Sequence, residues 1–113
     1  MALQPLDQFN LHHTLAEIPG IALVCFTAPH CGACKAMHEA LTRLGETRLD
    51  IQLFEVNSQR DEALAREFEV FHLPALFIYR QGDYHAPLEA EPRVPKLLQA
   101  LDTVLNAPAQ EAP

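Results

Sequence analysis

An apolar run, Ile21-Ala22-Leu23-Val24-Cys25-Phe26, passes through Thr27-Ala28-Pro29-His30-Cys31-Gly32-Ala33-Cys34 into an amphipathic stretch over residues 35–44. This succession constrains the fold more than any other feature of the chain. A nearly continuous apolar run fits a strand buried on both faces, in a sheet covered on each side. The stretch after the cysteines places Met37, Leu41 and Leu44 on one side, at i, i+4 and i+7, and so reads as a helix. Gly45 is its expected C-cap. Two cysteines three residues apart at a helix start suit dithiol–disulfide chemistry. The unpaired N–H groups and positive dipole end there favour a thiolate on Cys31, and the spacing lets Cys34 close a tight disulfide. Half a zinc site shares this spacing, but the strand–loop–helix setting makes it a redox signal.

The remaining segments supply the sheet and its cover. Residues 7–17 read as a helix with a loose apolar face of Phe9, Leu11, Leu15 and Ile18, ended by Pro19-Gly20. Residues 50–57 form a second interior strand. Ser58 reads as an N-cap, with Asp61 and Glu62 in the first turn of a helix reaching Phe68. Residues 75–80 form a third strand, and Gln81-Gly82-Asp83 turns into a fourth over residues 84–88. Pro92 and Pro95 bracket the start of a last helix striped by Val94, Leu97, Leu98, Leu101, Val104 and Leu105. Strands separated by helices imply parallel pairs, and the hairpin adds an antiparallel edge. The expected fold class is therefore α/β, a mixed sheet between helices.

At 113 residues the chain supports one domain, expected over residues 1–105, with a disordered tail over 106–113 that lacks any core-forming pattern. No apolar run approaches the roughly 20 residues that span a bilayer, and Met1–Asp7 shows no signal-peptide pattern. A net charge of −7 with eight scattered basic residues argues against nucleic acid. The third cysteine, Cys25, has no evident partner, which favours a reducing compartment, the cytoplasm. Cys25 is expected to act as a small buried hydrophobe.

The chain resembles the thioredoxin family over nearly its whole length. The resemblance rests on Phe26-Thr27-Ala28-Pro29-His30-Cys31-Gly32-Ala33-Cys34-Lys35, on His72-Leu73-Pro74 before the third strand, on the Gly82 turn, and on the interval between the first two. It implies a thioredoxin-like fold, a central mixed sheet of four to five strands flanked by helices on both faces, with Pro74 cis and facing the dithiol. Independently, a proline abutting a core strand marks a constrained turn. The departures are specific. His30 stands where the family usually has tryptophan, and the chain contains no tryptophan. Ala33 replaces a common proline, Cys25 the usual buried aspartate, and Glu55 the usual lysine. A glycine usual on the last strand is missing, and only residues 2–6 remain for a first strand.

From these residues follows a site. Cys31 is the expected nucleophile and the more exposed sulfur; Cys34, one turn in, is the resolving thiol. Cys31 attacks a substrate disulfide and Cys34 then releases the reduced product. His30 either hydrogen-bonds the Cys31 thiolate or is solvated and electronically silent. Glu55 shares a strand face with Ile51 and Leu53; it either accepts the proton of Cys34 or reaches water at the strand end. Pro74 and the Leu73 backbone are expected to shape a substrate groove. The six histidines show no zinc-like spacing with the dithiol, so no metal and no cofactor is expected. The expected function is that of a thioredoxin-like protein-disulfide reductase, serving cell redox homeostasis and electron transport. Its partners would be protein disulfides and a thioredoxin-reductase-like electron donor, with no membrane, and its state a monomer. The competing function is a thioredoxin-fold chaperone-like or interaction module with little turnover.

Overall fold

A computed structural model describes residues 3–113. The elements run β1 (Gln4–Leu6), α1 (Leu11–Ala16), β2 (Ile21–Thr27), α2 (Gly32–Thr47), β3 (Ile51–Asn57), α3 (Glu62–Glu67), β4 (Ala75–Arg80), β5 (Asp83–Leu88) and α4 (Val94–Leu105). They build a five-stranded sheet in the order β1-β3-β2-β4-β5. Strands β1, β3 and β2 are parallel, and β4 and β5 complete it antiparallel. Ala2, the first residue offered for β1, lies outside the described residues.

The central position of β2 explains its composition. Ala22 through Phe26 are all 0% exposed, because alternate side chains enter different cores. Leu23 and Cys25 pack with Met37, Leu41 and Leu44 of α2 and Leu97 and Leu101 of α4. Val24 and Phe26 pack on the opposite face with Leu11, Leu15, Leu64 and Phe68. The helices thus cover both faces of the sheet, and the last turn of β2 delivers the chain to the start of α2.

Three local expectations are corrected. Helix α1 begins at Leu11 rather than residue 7, because Asp7 and Asn10 bond each other's backbone first. The Asp7 N–H donates to Asn10 Oδ1 at 2.8 Å, and Asp7 Oδ1 accepts from Phe9 and Asn10 at 2.8 and 3.0 Å. This competes with the helix, and it leaves Phe9 exposed instead of on the apolar face. Gly45 is no cap, since α2 continues to Thr47 and ends at Arg48. A Cβ at position 45 would approach Leu53 Cδ1 to 2.8 Å, so the glycine serves close packing of helix on sheet. Ser58 does not cap α3 either. Asn57 Oδ1 takes the Gln59 and Arg60 N–H groups, Asp61 precedes the helix, and the Ser58 hydroxyl is buried with no partner among the described residues.

Beyond Leu105 the described residues form no regular element beyond a turn. The Gln110 N–H nevertheless donates to the His85 carbonyl at 2.7 Å, laying this segment beside β5.

Candidate active site

The approach to the cysteines is set by backbone geometry. His30 has φ +62°, a left-handed conformation that costs an L-residue about 1–2 kcal/mol. Strain of this kind concentrates at functional loops. It turns the chain so that Cys31, extended at φ −104° and ψ 107°, becomes the N-cap of α2. The Cys31 sulfur accepts the Cys34 backbone N–H at 3.2 Å, in the place where a serine or aspartate oxygen would normally cap a helix. A thiolate on this atom would receive a charge-assisted hydrogen bond and the positive end of a 16-residue helix dipole. Cys31 and Cys34 are joined as a disulfide, with their Cα atoms 5.2 Å apart. Cys34 is 5% exposed and Cys31 is partly exposed, the asymmetry expected of an attacking and a resolving sulfur.

Beneath the motif lies a pair of neighbours across β2 and β3, Cys25 and Glu55. Cys25 is fully buried, and burial first, then the negative charge of Glu55, push its thiol up to about 12. It is therefore a neutral thiol at physiological pH. Glu55 is half-buried, and its Oε2 lies 3.6 Å from Nε2 of His38 on α2. Glu55 and His38 share one open cleft with His30, Cys31, Cys34 and Lys35. Sequence reasoning missed His38. Its signal was available, since it stands four residues after Cys34 and so on the same side of the helix.

A second depression, of about 580 Å³, adjoins the motif from the other direction. Pro74, which follows a cis peptide bond from Leu73, lines it with Ala33, Met37 and His72. Phe71, 84% exposed, stands at the same groove, as do Gln110, Glu111 and Pro113 of the C-terminal segment. The Leu73 side chain turns away into the Phe26–Phe68 core. The structure thus gathers Cys31, Cys34, His30 and Glu55 in one cleft, while Pro74 meets the motif through Ala33 in another.

Comparison with known proteins agrees with this geometry. The family model described as Thioredoxin matches residues 3–103. A probable protein disulfide-isomerase ER-60 of Schistosoma mansoni is 37% identical over 94 residues, but the chain spans 19% of that protein's length and 75% of its own. The thioredoxin-like protein slr0233 of Synechocystis is 30% identical, over 81% of this chain and 89% of that one. Among solved structures, Chlamydomonas reinhardtii thioredoxin f2 superposes with a TM-score of 0.79 at 22% identity, covering 90% of this chain and 95% of that one.

Proposed function

The chain belongs to the thioredoxin family, and we propose that its Cys31–Cys34 pair reduces protein disulfides. The observation that carries this reading is the Cys31 sulfur at the helix N-cap, accepting the Cys34 N–H and bonded to the shielded Cys34 sulfur. In the reduced protein the Cys31 thiolate attacks one sulfur of a substrate disulfide, and the other substrate sulfur leaves. Cys34 then attacks Cys31 Sγ, the mixed disulfide breaks, and the pair closes as the Cys31–Cys34 disulfide. Pro74 and the Leu73 backbone flank an extended substrate segment in the groove, where the exposed Phe71 supplies apolar contact. His30 fronts Cys31 from the solvent side, and Glu55 brings a carboxylate to the cleft of Cys34.

Restoring the dithiol calls for a thioredoxin-reductase-like electron donor, and a reducing compartment such as the cytoplasm suits this direction of exchange. The test is insulin reduction with dithiothreitol supplied. Turnover that disappears in Cys31→Ser is the expected result. A rate no greater than that of dithiothreitol alone would overturn the reading and favour a binding module on the same fold. In Cys34→Ser, mixed disulfides should accumulate on Cys31, and their identification would name the substrates.

A further inference from the structure

Resolution of the mixed disulfide requires the Cys34 thiol to lose a proton, and this residue is 5% exposed. Strand β2 offers no base there, because its Cys25 is fully buried and neutral. The cleft that Cys34 opens onto contains three proton-accepting side chains: the His30 imidazole, exposed on the loop before Cys31, and the paired Glu55 carboxylate and His38 imidazole. Glu55 Oε2 and His38 Nε2 lie 3.6 Å apart, and these two side chains are 32% and 42% exposed. Free carboxyls titrate near ~4.3, imidazoles near ~6.5 and thiols near ~8.5, so an imidazole is matched to a thiol far better than a carboxylate is. His38 also sits four residues beyond Cys34 on α2, on the same helix face and about 5–6 Å away between Cβ atoms.

We infer that His38 is the proton acceptor for Cys34, directly or through one water, and that Glu55 is a positioning residue that orients the ring and balances its charge. The inference rests on the proposed disulfide exchange. Cys31 thiolate attacks the substrate disulfide, and the first substrate sulfur leaves as a thiolate that takes a proton from solvent. The Cys34 Sγ–H proton moves to the His38 ring. The freed electron pair on Cys34 forms the bond to Cys31 Sγ as the mixed disulfide breaks. The second substrate sulfur leaves as a thiolate and takes the proton back from the imidazolium. The substrate gains two electrons and two protons, one from Cys34 and one from solvent, and the cysteine pair is oxidised. In the cleft the groups around the imidazole are Glu55 from β3, Lys35 on its own helix, His30 from the preceding loop and the uncharged Thr27 from β2.

The two sulfur steps separate with Ellman's reagent in a stopped-flow experiment on the reduced full chain. Attack by Cys31 releases the first thionitrobenzoate, and attack by Cys34 on the resulting mixed disulfide releases the second. His38→Gln should leave the first phase unchanged and slow the second about 100-fold near neutral pH. The second phase should then rise about tenfold per pH unit, following free hydroxide. Glu55→Gln should slow it by less and move the midpoint of its pH profile. Added imidazole should restore the second phase of His38→Ala, a result that a merely structural role would not give. An unchanged second phase in both His38 variants overturns the inference while leaving the disulfide exchange intact. A wild-type first phase no faster than that of free cysteine overturns the exchange reading, and the inference with it.

Discussion

Replacing Cys25 with aspartate would put back the carboxylate that the thioredoxin family usually carries at this position, and the structure sets the cost. The Cys25 thiol is pushed up from 9.0 to about 12, first by burial and then by Glu55. A rise of about three pH units corresponds to about 4 kcal/mol against placing a negative charge at that point. Aspartate is close to cysteine in size, so the penalty is electrostatic rather than steric. Its carboxyl would stay protonated in the folded chain while ionising in the unfolded one, across roughly pH 4 to 7. Stability then falls as pH rises, because the folded state holds the proton that the unfolded state has lost. The slope is about −1.4 kcal/mol per pH unit within that window, and the full loss of about 4 kcal/mol is present above it. Urea denaturation of wild type and variant at about pH 4, 6 and 8 measures this directly. The gap between the midpoints should be smallest at the lowest pH, where only the cost of burying a neutral carboxyl remains, and should widen by about 1.3–4 M at the highest, for a slope of about 1–3 kcal/mol per molar. Adding Glu55→Gln should recover a minor part, since burial is the larger cause. Parallel curves across the whole range would refute the reasoning.

Three further outcomes follow from packing. Gly82→Ala forces an alanine to φ +84° and drives its Cβ into the Ala16 backbone carbonyl; a loss of about 2–4 kcal/mol should appear in thermal denaturation. Gly45→Ala should lie within about 1 kcal/mol of wild type in the same assay, because the helix gains about 1 kcal/mol and the crowded Leu53 Cδ1 atom ends a flexible side chain. Deleting residues 108–113 should change stability by no more than about 1.5 kcal/mol, the worth of the hydrogen bond from Gln110 to His85. A larger loss would mean that the segment belongs to the folded domain.

Most of the architecture could be read from periodicity. The strands at 21–27, 51–57 and 75–80 and the stripe of α4 lie where their patterns put them, because burying an apolar face is a requirement each segment states locally. The misplacements are all at ends. Gly45, Ser58 and residues 7–10 each carry residue types that cap or start helices, but a neighbouring strand or a competing Asx side chain decided the outcome. Such contests depend on partners that sequence spacing does not reveal.

The chain order alone determined that two sulfurs would stand one turn apart at the head of a helix leaving a buried strand, because helix pitch and strand burial are properties of the local sequence. Only the tertiary structure decided what surrounds them. It set Glu55 beside Cys25 through the register of β2 on β3, and it brought the Glu55 carboxylate to His38 through the packing of α2 on the sheet. The protonation state of a buried group depends on such neighbours and on the water they exclude, and both come from parts of the chain distant in sequence.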